Sequence, residues 1–458
     1  MKKLSAILIT GSLVLAAACG GSPKSGLQKG TKDVPPPPDI TATPPDVAVG
    51  GGDVKREISA DAKGDYAKAA EFYAAQTTWS ESTCRQAADR FASVARAHKS
   101  LVEAQYMVGR SYHNCNLAKE AEEAYQEALK IRPEGGGVPI ALAASISNIG
   151  ELYYAAGKAD GAKQWWEKAI KANPKLAAAY VNLAVLQLDQ LRRTKDNAAW
   201  KKLEEDTRKK LSISLAIDNE NVRAYTVYGL VYMEGYQKNR NRLDLAKLLL
   251  EEGEKRNAKY APLQHALGLL ALSKNNLTDA LGRFQAAVEL DGNFAEARQN
   301  VGLITLGTRR YDVAKEQFEK VLSLEPKNYD ALIGLGVAQR GLGDFKAAEE
   351  TYNKAKALDG RRGEAYFNLG VLYKAFLASK ENDLTASQEK YRTAKKFFEE
   401  YLRKDGLTAD DKEEAQQNIK DCDKVVKQID EFKKMEAAQK AMMNNQPQPP
   451  PAPAPAPK

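Results

Sequence analysis

From about residue 53 onward, apolar and small residues recur every third or fourth position, and the runs are punctuated by Gly, Pro, Asn and Asp. That spacing predicts amphipathic helices, because residues three and four apart share one helical face. Within Ala295–Arg362 the pattern repeats itself. Gly302 falls on Gly336, Ala314 on Ala348, Phe318 on Tyr352, Val321 on Ala355 and Pro326 on Gly360, each 34 residues apart. One such unit predicts two helices and a turn, too small to bury its own apolar face, so neighbours must stack. The small residues permit close helix approach, the aromatic fills the space between units, and the Pro or Gly ends the second helix.

These residue types, with a small residue at position 8, Ala at 20, an aromatic at 24, a small residue at 27 and a breaker near 32, resemble the tetratricopeptide repeat. The frame fits Lys68–Leu101 weakly through Ala87, Phe91 and Val94, and Val102–Gly135 clearly through Gly109, Tyr112, Ala121, Tyr125 and Ala128. After a spacer at Gly135–Gly137 it resumes at Ala143–Leu176 with Gly150, Ala162, Trp166 and Ala169. Units opening at Ala177, Val222 and Gly363 carry insertions at Arg192–Lys202, Met233–Arg242 and Ala375–Thr393, and Ala261–Phe294 is of plain length. The expectation is an all-α, right-handed superhelical solenoid of about eight or nine repeats over 53–409, its insertions projecting as turns from one edge. Residues 410–443 predict a capping helix with Ile419, Cys422, Val426, Ile429 and Phe432 along one side.

The ends differ from the array. In Met1–Cys19 two lysines precede the apolar run Leu4–Leu15, and three alanines lead to Cys19. The run is too short to span a membrane as a mature helix. It resembles a bacterial lipoprotein signal, with Leu15 one place further from the cysteine than usual; the alternative is an ordinary cleaved secretory signal. The resemblance implies lipidation at Cys19 and, with Gly rather than Asp following it, attachment to the outer membrane on its periplasmic face. Residues 20–52 contain Pro35–Pro38, Pro44–Pro45 and Gly50–Gly52 and no aromatic, which predicts a tether. Residues 444–458 are a Pro-Ala tail.

Composition excludes more than it assigns. Of 458 residues, 28% are charged and 8% aromatic, and the formal charge of +8 is scattered among acidic residues rather than gathered in a patch. Solvated helix faces account for it without nucleic acid. There are three histidines, and no HExxH, GxSxG or phosphate-loop pattern accompanies them, so no enzyme, cofactor or small-molecule substrate is indicated. The glycines of Gly334–Gly343 follow no strand and sit at packing positions of the repeat. Cys84 begins the second helix of one unit and Cys115 ends the first helix of the next, at the same end of the stack. An exported chain permits a Cys84–Cys115 disulfide; two buried thiols is the alternative, and a metal site with His113 lacks a fourth ligand. Cys422 has no evident partner.

In the family, positions 2, 5, 9, 12 and 13 of each first helix line an inner groove. Position 9 reads Val185, Leu230, Leu269, Leu303, Val337 and Val371, and position 5 adds Val181, Ile333 and Phe367. That aliphatic stripe suggests an apolar or helical ligand, unless the superhelix or the C-terminal helix fills it. The Lys and Asn arrangement of a carboxyl-terminal clamp is absent, while Asn148, Asn182, Asn300 and Asn368 recur at position 6. The layout of lipobox, tether, repeats and Pro-Ala tail resembles the adventurous-gliding-motility tetratricopeptide lipoproteins of myxobacteria. That resemblance implies a scaffold contacting other envelope proteins in a motility machine, with the membrane reached through Cys19. A pilotin-like role in secretin or type IV pilus assembly, or a role in outer-membrane protein assembly, is the alternative.

Overall fold

The computed structural model describes residues 58–444 apart from 77, 133–139 and 238. The expectations for the signal, Cys19, the tether, the glycine spacer and the Pro-Ala tail lie outside the described residues. Among the described residues there are nineteen α-helices and no strand. They come as nine consecutive pairs and a terminal helix. The pairs are α1 (Ala60–Ala74) with α2 (Glu81–Ala97), α3 (Val102–Asn114) with α4 (Ala118–Lys130), and α5 (Ile140–Ala155) with α6 (Ala159–Ala172). Next come α7 (Ala177–Arg193) with α8 (Asn197–Ile217), α9 (Val222–Met233) with α10 (Arg242–Arg256), and α11 (Ala261–Ser273) with α12 (Leu277–Leu290). The last are α13 (Ala295–Gly307) with α14 (Tyr311–Leu324), α15 (Tyr329–Gly341) with α16 (Phe345–Leu358), and α17 (Glu364–Leu372) with α18 (Leu384–Leu402), before α19 (Ala409–Asn444). No helix among the described residues is long and apolar enough to cross a membrane.

The described residues form two compact units, 58–300 and 301–444, dividing within α13. Local chemistry sets the helix starts in both. Asn221, Asn276, Asn328 and Asp344 each accept a hydrogen bond from the backbone N–H three residues on, satisfying one donor that a helix N-terminus leaves open. The turn inside a plain-length pair is made by one left-handed residue at position 15. It is Asn116 (φ 56°), Gly157 (76°), Asn275 (60°), Arg309 (61°) or Gly343 (84°). Asn and Gly suit that conformation; Arg309 holds it against its own preference.

The packing inside a pair is a knob in a notch. A Cβ added to Gly150 would lie 2.6 Å from the Trp166 ring, and one added to Gly268 would lie 2.6 Å from the Phe284 ring. Trp166 and Phe284 are fully buried, so the absent side chain on one helix is the space occupied by the ring on the other. The same notch pairs Gly302 with Phe318 and Gly336 with Tyr352. In Gly334–Gly343, Gly334, Gly336 and Gly341 each lie against a ring (Phe318, Tyr352 and Tyr311), and Gly343 makes the turn.

Three expectations are corrected. The first pair does not begin at Lys68: α1 starts at Ala60 and buries Ala62, Tyr66, Ala69 and Tyr73. Phe91 therefore meets two rings, Tyr66 at 5.5 Å and Tyr73 at 6.1 Å, rather than a notch. Second, two of the three insertions are not projecting turns. The residues around Arg192–Lys202 lengthen α7 and α8, the latter to 21 residues, and Ala375–Thr393 is largely absorbed by a π-turn at Tyr373–Leu377 and the start of α18. Only the remaining insertion leaves helix for turn, through 234–237 and 239–241, and Arg242 pins it. Its Nε donates to the carbonyls of Tyr232 (3.1 Å) and Glu234 (2.9 Å), and its Nη2 donates to Val231 O and Glu204, each at 3.1 Å. Third, the buried side of α19 is Ala415, Cys422 and Ile429, while Phe432 is 51% exposed. α19 runs along α18 through Lys395–Asp423 at 2.7 Å and Gln388–Asp430 at 2.6 Å.

Candidate functional site

Successive first helices pack directly on one another: α3 on α5, α7 on α9 and α9 on α11 in the first unit, and α15 on α17 in the second. No successive second helices pack comparably among the described residues. Each unit therefore has an inner face built from first helices, as in other stacked helical repeats.

The position-6 asparagines are the seams of that face. Asn148 Nδ2 donates to the Tyr125 hydroxyl at 2.9 Å, and Asn182 Nδ2 donates to Glu151 at 2.9 Å. Asn300 Nδ2 lies 3.0 Å from His265 Nε2, and Arg340 donates to Asn368 at 3.2 Å. Every one of these contacts reaches back to the preceding pair. The recurrence visible in the sequence is thus spent on repeat-to-repeat adhesion, since a buried amide must find partners.

The nine aliphatic and aromatic groove positions do not form one stripe. Val181 and Val185 in the first unit are buried by their neighbours, as is Leu269, while Leu230 stays half-buried. In the second unit Phe367 and Val371 belong to a cluster with Phe398, Tyr401, Ala415 and Cys422, so α18 and α19 cover them. Leu303, Ile333 and Val337 remain half-buried, with Ile333 and Val337 leaning on Tyr352, Leu369 and Leu372. The cap thus fills one end of the expected stripe.

The same register places other residues on the inner face that the apolar list passes over. Position 9 in the second and third pairs is Arg110 and Glu151, and position 5 of the second pair is Tyr106. Around Arg110 stand Tyr73, Tyr106 and Tyr125. The Tyr73 hydroxyl oxygen accepts from Asn114 Nδ2 at 2.9 Å. The Tyr106 and Tyr125 rings are 6.0 Å apart, and Tyr125 OH lies 3.3 Å from His113 Nδ1. Burial holds the His113 imidazole below its ordinary value and pushes the Tyr125 phenol well above its own, so both stay neutral near pH 7. Burial opposes the Arg110 charge too, but the surrounding oxygens of Tyr106, Tyr73, Tyr125 and Glu151 outweigh it. Reading position 9 from the second repeat rather than the fourth is the signal that finds Arg110 and Glu151.

Cys84, in the first turn of α2, and Cys115, capping α3, are joined, with Cα atoms 6.3 Å apart. His113 is turned to Tyr125 rather than to the cysteines. Among the described residues no group of three or more His, Cys, Asp or Glu side chains could hold a metal ion. Cys422 is free and fully buried, and its burial pushes the thiol up to about 11.

Residues 102–134, 143–176 and 302–365 match tetratricopeptide-repeat family models. The chain is similar to a tetratricopeptide-repeat protein of Thermus thermophilus at 24% identity, over 43% of this chain and 99% of that one, with a TM-score of 0.37. It is similar to pilF of Pseudomonas aeruginosa at 20% identity, over 49% of this chain and 94% of that one, with a TM-score of 0.39. Yeast Tom70 matches at 19% identity, over 81% of this chain and 66% of that one, with a TM-score of 0.36. No curated protein matches. The chain carries tetratricopeptide repeats stacked as a solenoid, the architecture of a protein-interaction scaffold.

Proposed function

We propose that this chain is a lipid-anchored scaffold at the periplasmic face of the outer membrane. There it holds other envelope proteins together as a structural subunit of a gliding-type motility complex. The observation that carries the scaffold reading is the inner face itself. Its backbone polar groups are closed within helices, its asparagines are spent on the seams, and what it still offers are side chains at positions 5 and 9. Such a surface holds a partner and has no chemistry to perform on it. The anchor rests on Met1–Cys19, where a short apolar run ends in alanines and a cysteine.

The test is affinity purification of the full-length, membrane-extracted protein beside Cys19→Ala, with mass spectrometry of what accompanies each. Motility-complex subunits with the wild type support the reading, and a secretin ring would replace it with the pilotin role. Partners lost with Cys19 mean that membrane placement creates the complex; partners retained mean that the repeats alone recognise them. Leu303→Glu with Val337→Glu, both half-buried, should lose a partner docked on that part of the face while keeping the helical signal. Unfolding of that variant would assign the two side chains to packing instead.

A further inference from the structure

α19 carries two apolar sides, and the second unit covers one of them. The buried side is Ala415, Cys422 and Ile429. Counting on from Ile429 by helical steps, that side continues as Lys433 and Lys440, and the Lys433 ammonium still reaches back to Gln388 of α18 at 3.0 Å. The apolar residues of the distal turns lie elsewhere. At about 100° per residue, Phe432, Met435 and Met442 fall roughly 120° round from the buried side. They are 51%, 64% and 73% exposed, and every residue from 434 to 442 is exposed. Steps of three and seven residues are the spacing with which one helix lines another. Glu431 and Glu436 flank this stripe, one on each side. Their contacts are with exposed lysines of the same helix, Lys427 at 4.0 Å and Lys440 at 2.8 Å, pairs too exposed to hold the carboxylates back from a partner.

An apolar stripe with an acid on each flank selects its occupant by charge. A second copy of α19 paired in parallel would set Glu431 against Glu436, and an anionic membrane would repel both. We infer that the distal stripe of α19 receives a basic amphipathic helix of a partner protein. The apolar side of that helix lies on Phe432, Met435 and Met442, and its Lys or Arg side chains face Glu431 and Glu436. The two thioethers suit such a contact, since Met is unbranched and adapts to the surface it meets. This inference rests on the scaffold reading, and it adds a docking place outside the inner face of the repeats together with the chemistry of what docks there.

The experiment titrates the full chain with two labelled three-heptad helical peptides. Both have leucine at a and d; one has lysine at e and g, the other glutamate. The chain's formal charge is +8, so undirected attraction favours the glutamate peptide. The expected result is the reverse, the lysine peptide binding at least about tenfold tighter and slowing amide exchange in 434–442. Phe432→Gln with Met435→Gln and Met442→Gln puts good helix formers at three exposed positions. That variant should bind the lysine peptide at least about tenfold more weakly while melting within about 2 °C of the wild type. Glu431→Lys with Glu436→Lys should turn the preference to the glutamate peptide. Equal or tighter binding of the glutamate peptide by the wild type, no saturable binding, or undiminished affinity in the triple variant would overturn the inference. So would a wild-type dimer in sedimentation that the triple variant loses, which assigns the stripe to a second copy, or stripe-dependent flotation with phosphatidylglycerol vesicles, which assigns it to a membrane. Partner purification separates the two readings. Equal recovery from wild type and triple variant sinks the docking stripe and leaves the scaffold standing, whereas no partner with wild type sinks the scaffold.

Discussion

At the residue scale, His265 shows how far burial rewrites a side chain. It is 8% exposed, lies 5.4 Å from the Phe284 ring and 4.9 Å from Phe294, and has Asn300 as its polar neighbour. Burial, with a smaller contribution from Arg192, pushes its pKa down to about 3. The folded state therefore refuses a proton that the unfolded chain accepts near pH 6.5, so this residue's contribution to stability is present above that value and is lost as the pH falls toward 3. Chemical denaturation should show about 2 kcal/mol less stability at pH 5 than at pH 7 from this group alone. In His265→Gln that difference should largely vanish. A wild-type curve flat over that range would mean that His265 takes a proton in the folded state. The sequence places this histidine at position 5 of its repeat, but its charge state depends on rings brought from α12 and from the loop before α13, which no local pattern encodes. Arg110 was legible by contrast, since its register position is fixed by Gly109 beside it.

At the element scale, pairs of plain length were readable because each position in the repeat has one packing job. Gly150 and Trp166 announce each other across 16 residues, as do Gly268 and Phe284. The inserted segments carry no such reciprocal signal. Whether Arg192–Lys202 lengthens helices or makes a loop is decided by contacts such as Arg192 to Glu234 at 2.9 Å, between chain segments 42 residues apart. The first pair is less legible for a related reason: its aromatic packs against Tyr66 and Tyr73, so the small residue that marks the other first helices is missing. There the covalent link does the work of register. The Cys84–Cys115 bond closes a separation of 31 residues, and loop entropy puts its contribution at about 3–4 kcal/mol. Alkylation of denatured, unreduced protein should label Cys422 and leave Cys84 and Cys115 unlabelled. Cys115→Ser should make α1 and α2 the earliest site of proteolysis. Labelling of all three described cysteines would show that the bond is not formed in the purified protein.

At the scale of the whole molecule, a stack of repeats needs its last face covered, and α19 supplies the cover in the second unit. Cys422 and Ala415 are fully buried against Phe398 and Tyr401, so a chain ending at residue 408 would expose an aromatic cluster. That truncation should aggregate in light scattering and melt well below the intact protein. A chain ending at Lys433 removes only the part of α19 beyond α18, including the exposed Met435 and Met442, and should melt within about 2 °C of the intact protein. A large loss from the shorter cut would mean that the distal turns carry load in the fold. The sequence shows α19 as one amphipathic helix, but which of its residues are buried is set by the helix it packs on, α18, which lies outside its own pattern.

The bond between α2 and α3 also has a mechanical meaning. If the chain is tethered near its N-terminus and gripped by a partner further along, as proposed, tension enters through the chain preceding α1. Peeling can take α1 and the residues up to Cys84, and there the force steps across sulfur to Cys115. The 31-residue separation bypassed by the bond, roughly 110 Å of contour and including α3, is withheld from extension, so the pull passes directly to the chain from Cys115 into α4.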